Sequence, residues 1–258
     1  MYYYIFDIRK CNKRSQVEDI KTYLGGLGIS GEFTYPTAAQ APEELVDLAL
    51  AKRYSTIVAI GGDDLATAIA NRLLGRKEAL GIIPLGASEY LSELIGTSNW
   101  REAAEALRFR KISEIRMGQT AAGNSFLTHI DLDIGYPIEV TLEFKDFLVQ
   151  TKAENLIVAN VYPGVKKRGI DYLDVLIKSA EPKDGPMLSR LASIFGAKKN
   201  NKDKLISLFR ARSLRIFTKT PLALISNGKT IAKTPQLVES SDEPLRLITA
   251  RKGAHPWE

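Results

Sequence analysis

Two short segments of the chain combine glycines with carboxylates where a ligand could approach the backbone. The first, STIVAIGGDDLATAIANRLLG (residues 55–75), places Gly61, Gly62, Asp63 and Asp64 between an apolar run and a helical pattern. Glycines at such a turn let a phosphate reach the free N–H groups of the helix start. A carboxylate there either caps the helix or orients a nucleotide or its Mg²⁺. Both interpretations remain open for this segment alone.

The second segment, LGIIPLGASEYLSELIG (residues 80–96), repeats the same design about 25 residues further on. Gly86, Ser88 and Glu89 follow an apolar run and precede another helical pattern. Because ligands of parallel sheets bind beyond the carboxyl ends of the strands, two such loops are expected to face one crevice. The candidate nucleotide-binding residues are therefore Gly61, Gly62, Asp63, Asp64, Gly86, Ser88 and Glu89.

The elements that must position these loops alternate between strand and helix in residues 1–110. Short continuous apolar runs separated by helical patterns predict an α/β domain with a parallel sheet covered on both faces. In residues 111–258, short segments of alternating polarity predict antiparallel β-strands, with a helical insertion near 186–209. Asn227 and Gly228 predict a tight hairpin turn.

Composition limits the classes of function. The chain has 258 residues, 45% apolar and 26% charged, with one cysteine and a net charge of +6. It has no apolar run near the length of a membrane span and no secretory signal, so we expect a cytoplasmic protein. One cysteine and two histidines argue against a disulfide or zinc framework. The positive charge favours phosphates or an anionic membrane surface, but no nucleic-acid motif accompanies it, so no specific nucleic-acid partner is expected.

The stretch from 187 to 210 allows two interpretations, because it combines apolar faces with several basic residues. It has the composition of an element that touches an anionic membrane, which would make the protein peripheral there. It also has the composition of a helix pair that packs inside the domain and exposes its basic face.

Both glycine segments resemble known signatures. VAIGGDDLATAIANRLLG and LGIIPLGASEYLSELIG resemble GGDGTxNEVxNGL and LGIIPxGTGNDFARxLG of the diacylglycerol kinase catalytic-domain family, which includes bacterial lipid kinases. GIDYLDVLIKS (169–179) stands where the family has DGxLDV, and ALISNGKTI (223–231) where it has a strand bearing DGE. NAD kinases share GGDGT, but the second segment is closer to the lipid kinases. The resemblance implies an α/β nucleotide-binding domain (1–110) and a β-sandwich domain (111–258).

The resemblance also implies ATP and Mg²⁺ as cofactors, with Asp63 and Asp174 as candidate metal ligands. Several family positions are altered, however. Asp64 replaces the third glycine and Glu89 an asparagine, while Asn227 stands where the family has the carboxylate thought to act as general base. A positioned base supplies about 100- to 10,000-fold of rate. Glu89 is the candidate substitute acid.

Two functions follow. In the first, the protein is a divergent lipid kinase-like phosphotransferase that transfers phosphate from ATP to a lipid or another alcohol. In the second, it is a catalytically silent descendant that acts as a ligand-binding or scaffolding protein. Asp63 and Glu89 favour a reworked active site, whereas Asn227 and Lys229 favour a silent one. The sequence does not determine the acceptor or the oligomeric state.

Overall fold

The computed structural model describes residues 1–11, 13, 15–165, 171–180 and 206–250. The chain forms two compact units. The first unit comprises the described residues within 1–117, 161–171 and 241–258, and the second those within 118–160 and 172–240. The sequence predicts a single domain boundary near residue 111. In the structure, the described residues within 161–171 and 241–258 also belong to the first unit.

The first unit is an α/β domain. Its helices are α1 (Ser15–Gly26), α2 (Pro42–Ala51), α3 (Asp63–Leu73), α4 (Glu89–Ile95) and α5 (Trp100–Phe109). Its strands β1 (Tyr2–Phe6), β2 (Gly31–Thr34), β3 (Thr56–Gly61) and β4 (Ala79–Pro84) form a parallel sheet in the order β2-β1-β3-β4. The predicted parallel sheet is confirmed.

The apolar runs of the sequence form the centre of this sheet. Every residue of β3 and β4 is buried, which is expected for strands covered by helices on both faces. The register pairs Phe6 with Ile60 and Gly61 with Pro84. The carboxyl ends of β1, β3 and β4 therefore lie side by side at one edge of the sheet.

The second unit is built from antiparallel strands. The strands after β4 are β5 (Ile112–Thr120), β6 (Ser125–Phe126), β7 (His129–Leu132), β8 (Ile138–Glu143), β9 (Leu148–Ala159), β10 (Leu173–Ser179), β11 (Ile206–Ala211), β12 (Ser213–Thr218), β13 (Ala223–Ser226), β14 (Lys229–Lys233) and β15 (Gln236–Ile248). Strands β5 and β15 each begin in one unit and end in the other. Within the second unit the pairings are antiparallel and enclose a separate apolar core, which confirms the predicted fold class.

The helical prediction for 186–209 fails at its end. Residues 186–205 lie outside the described part of the chain, but Ile206–Ala211 forms strand β11, paired with β10. Burial alternates along β11 with the period of two of a strand, and Phe209 packs against Phe144 and Phe147. A short apolar run such as ISLF does not distinguish this period from that of a helix. Among the described residues, no helix is both long and apolar enough to cross a membrane.

Candidate functional site

The two predicted loops lie against each other at the carboxyl edge of the first unit's sheet. Gly62 is the N-cap of α3, and no side chain caps this helix, so neither aspartate serves as the cap. A Cβ atom on Gly62 would lie 3.3 Å from the carbonyl oxygen of Gly86. Gly86 itself has a φ of 61°, in the left-handed region that favours glycine. Close packing against the second loop thus explains Gly62, and the backbone conformation explains Gly86.

Asp63 joins the two loops through its carboxylate. Its Oδ1 accepts a hydrogen bond from the backbone N–H of Ser88 at 2.8 Å, and its Oδ2 accepts one from the Ser88 hydroxyl at 2.6 Å. Ser88 is also the N-cap of α4, where its Oγ accepts a hydrogen bond from the N–H of Leu91 at 3.1 Å. The structure therefore brings Asp63 and Ser88 together, and both carboxylate oxygens of Asp63 bind within the protein.

Asp64 and Glu89 have a different environment. Both are exposed, Asp64 in the first turn of α3 and Glu89 as the first residue of α4. Within the described part of the chain, neither carboxylate forms an ion pair. The pKa of Arg9 is raised by its hydrogen bond to Asp7 and, to a lesser extent, by the charge of Asp64, which places Asp64 near this arginine.

The turn after β1 contributes residues that the sequence did not single out as a site. Asp7 is buried, and its backbone N–H donates to the carbonyl of Ile60 at 2.9 Å. Its carboxylate accepts hydrogen bonds from Nε of Arg9 at 2.8 Å and from Nη2 at 3.1 Å. These bonds, opposed by burial, hold the pKa of Asp7 below its usual value. Asp7 and Arg9 therefore neutralise each other beside the two loops.

Lys10 lies across both loops. A Cβ atom on Gly62 would be 3.6 Å from Cε of Lys10, and one on Gly86 would be 3.7 Å from its Cδ. The sequence motifs did not single out this lysine. A signal that could have identified it is its position directly after β1, since β1 ends at the same sheet edge as β3 and β4.

Among the described residues that the structure places at the two loops, carboxylates outnumber cations. Once the pair of Asp7 and Arg9 is set aside, these are the carboxylates of Asp63, Asp64 and Glu89 and the ammonium of Lys10. Carboxylates near a helix start also offset the positive end of the helix dipole, which would otherwise attract an anion. The paired loops thus have the shape of a phosphate site but an unfavourable charge for one.

The second predicted metal ligand, Asp174, is engaged elsewhere. It lies on β10 in the second unit, is buried, and its Oδ1 pairs with Nε of Arg210 at 3.0 Å. Both oxygens of Asp63 accept hydrogen bonds from Ser88. The residues that the structure describes contain no group of three or more His, Cys, Asp or Glu side chains that could hold a metal ion. The donor set therefore does not fit a protein-held Mg²⁺.

Asn227 occupies the turn between β13 and β14 in the second unit, as the sequence predicts. Its φ is 51° and that of Gly228 is 74°. Two successive positive φ values define the hairpin turn for which Asn-Gly is the preferred pair. The backbone conformation accounts for the asparagine, which supplies an amide and no carboxylate at the position that the resemblance assigns to the general base.

Comparison with known proteins supports the family resemblance. Residues 10–120 match the family model of the diacylglycerol kinase catalytic domain. No curated protein matches the sequence. Three solved structures from Bacillus anthracis str. Sterne share the fold, one titled a diacylglycerol kinase (17% identity, TM-score 0.72, 97% of each chain covered). The other two are assigned provisionally as diacylglycerol kinases (16% identity each; TM-scores 0.73 and 0.74; 96% and 97% of each chain covered).

Proposed function

Starting from the resemblance to diacylglycerol kinases, we propose that this chain is a ligand-binding descendant of lipid kinases in which phosphoryl transfer is lost or very slow. The observation that supports the proposal is the charge of the described residues at the paired loops, where the carboxylates of Asp63, Asp64 and Glu89 accompany the ammonium of Lys10. A triphosphate carries several negative charges, and like charges a few ångströms apart repel even in water. ATP is expected to bind weakly here.

A bridging metal ion would reverse this repulsion, because Mg²⁺ binds carboxylates and phosphates together. The two residues predicted as metal ligands do not favour such an ion, since the carboxylate of Asp63 is engaged with Ser88 and that of Asp174 with Arg210. Catalysis of phosphoryl transfer depends mainly on positioning and on stabilising the transferred charge. Excess negative charge at the paired loops opposes transfer of the phosphoryl group. Asn227 provides no carboxylate that could act as the general base.

A second candidate function is an active, remodelled phosphotransferase acting on a lipid or another alcohol. It is favoured by the contact between Asp63 and Ser88, which holds the two loops as one platform, and by Lys10, which lies over both glycines. In this alternative, Glu89 would replace the missing base, since it is exposed beside Ser88.

Two experiments distinguish the two functions. Calorimetric titration of the purified chain with ATP, with and without Mg²⁺, measures nucleotide binding. An assay with diacylglycerol in mixed vesicles measures transfer of labelled γ-phosphate. The silent descendant predicts no saturable binding at low-millimolar ATP and no labelled lipid. Saturable binding of ATP with labelled lipid would contradict it. Loss of that label in Glu89→Gln, with the melting temperature unchanged, would then identify Glu89 as the general base.

A further inference from the structure

A concave site lies at the opposite edge of the same sheet from the glycine loops. The first unit contains a cavity of about 570 Å³ beside Ser55 and Glu78, which directly precede β3 and β4. Each of these strands has six residues, so this edge is roughly 17 Å from the glycine loops at about 3.3 Å per residue. The cavity is therefore separate from the predicted nucleotide site.

Positive charge dominates the cavity. Arg53, Lys77, Arg110 and Arg246 line it, against the single carboxylate of Glu78. Among the residues that the structure describes, none of these four cations forms an ion pair. Nearby cations on the same unit do: Lys52 pairs with Glu32 at 2.6 Å, and Arg72 pairs with Asp47. The cavity thus concentrates cations without carboxylate partners, which costs electrostatic free energy unless an anion binds.

Two of the arginines are held in place by the backbone around the cavity. Nη1 of Arg246 donates a hydrogen bond to the carbonyl of Lys77, and Nη2 of Arg110 donates a long one, 3.4 Å, to that of Ser55. These bonds orient the guanidinium groups without neutralising them, and each arginine keeps further N–H donors. A ligand would therefore meet partly positioned donors.

The backbone conformation of Arg53 and Arg110 also indicates that these arginines have a role beyond the fold. Arg53 has a φ of 60° and Arg110 a φ of 50°, in the left-handed region. Residues with a Cβ atom are strained there, and glycine is the usual choice at a helix end. Both arginines follow helices, α2 and α5, whose negative dipole ends offset about one of the positive charges. The cavity therefore keeps an excess of positive charge after the helix dipoles are taken into account.

We propose that this cavity binds a phosphate-bearing anion with two or more negative charges. Guanidinium groups match phosphate oxygens in pairs, and a cluster of them favours multiply charged phosphates over single carboxylates. Both a phosphomonoester lipid headgroup, such as that of phosphatidic acid, and a free polyphosphate carry this chemistry. The site is independent of the proposed function, because it shares no residue with the paired glycine loops.

The test is calorimetric titration of the full chain with tripolyphosphate in phosphate-free buffer at about 0.15 M salt, where the Debye length is about 8 Å. The double variant Arg53→Gly, Arg110→Gly removes two cations and gives the strained backbone the residue that it favours, so the fold should persist in a thermal melt. We expect saturable binding that this variant weakens about tenfold or more, because it removes two guanidinium groups that can form charge-assisted hydrogen bonds with phosphate. Lys77→Gln, which leaves the backbone unchanged, should weaken it severalfold.

The matched control is Arg72→Gln, which removes one positive charge outside the cavity and should leave the affinity within about twofold, since exposed charges are largely screened. An equal loss in Arg72→Gln would show that net charge alone attracts the probe and would overturn the proposal. Loss in Lys10→Gln with none in the cavity variants would place the probe at the glycine loops and would overturn it as well.

Co-sedimentation with vesicles separates the two sources of phosphate. Binding to vesicles that contain phosphatidic acid, but not to phosphatidylcholine vesicles, that is lost in the double variant and kept in Arg72→Gln would identify a lipid headgroup. Binding of tripolyphosphate without binding to either vesicle would identify a free phosphate compound. No binding of tripolyphosphate or of phosphatidic acid by folded protein would overturn the proposal.

Discussion

The contact between Asp63 and Ser88 should contribute measurably to stability, because it is the direct side-chain link between the two glycine loops. Asp63→Ala removes hydrogen bonds of 2.8 and 2.6 Å from a charged acceptor. Such bonds contribute about 1.5–3 kcal/mol each when buried. Asp63 is partly exposed, so we expect a total loss of about 2–3 kcal/mol.

Ser88→Ala removes the hydroxyl that donates to Asp63 and also caps α4. An N-cap contributes about 1 kcal/mol, so we expect a loss of about 2 kcal/mol in total. The double variant should lose about 1 kcal/mol less than the sum of the single variants, because the bond between hydroxyl and carboxylate can be lost only once.

The assay is urea denaturation at pH 7, followed by circular dichroism and fluorescence together so that coincident transitions verify two-state unfolding. Asp64→Ala is the matched control, since it removes the neighbouring exposed carboxylate and should change stability by no more than about 0.5 kcal/mol. Losses in the two single variants that add within about 0.3 kcal/mol would refute the proposed link between the loops.

Three further predictions concern the rest of the molecule. Asp7→Asn should reduce the loss of stability at acid pH, because the pKa of Asp7 is lowered in the folded state: the stability that this carboxylate contributes is present above its ordinary pKa of 3.8 and is lost as the pH falls through the folded pKa. Urea denaturation that depends on pH between 5 and 2 as in the wild type would contradict this prediction. Gly118→Ala should destabilise the second unit by about 3 kcal/mol, since the new Cβ would lie 2.0 Å from the ring of Phe126. A melting temperature equal to that of the wild type would contradict this prediction. Asp174→Asn should lower stability by only about 1–2 kcal/mol, because the arginine that pairs with Asp174 is half-exposed, and the loss should be the same with and without Mg²⁺. A loss that appears only with Mg²⁺ would assign the residue to a metal.

The positions of the glycine loops could be predicted from the sequence because local patterns determine them. Continuous apolar runs that end in glycine place Gly61 and Pro84 at the ends of buried parallel strands, and parallel strands bring such ends to one edge. Asn227 and Gly228 likewise define their hairpin turn by conformational preference alone.

Features that depend on tertiary contacts could not be predicted. The hydrogen bonds of Asp63 to Ser88 depend on how two loops 25 residues apart close on each other, and the position of Lys10 depends on the order of strands in the sheet. The strand at Ile206–Ala211 was predicted as a helix because its apolar run is too short to define a period. The cavity cations lie far apart in the chain, from Arg53 to Arg246, so no local motif marks them.

The most direct test of the central claim, that negative charge keeps ATP from the paired loops, is an ATP titration of Asp64→Gly, Glu89→Asn beside the wild type. These substitutions restore the residues that the resemblance implies and leave the bonds of Asp63 intact. A pair of unit charges contributes up to about 1 kcal/mol at close range in water, so removing two repulsive charges should tighten ATP binding about tenfold or more. Equal or weaker binding in the double variant would contradict the claim.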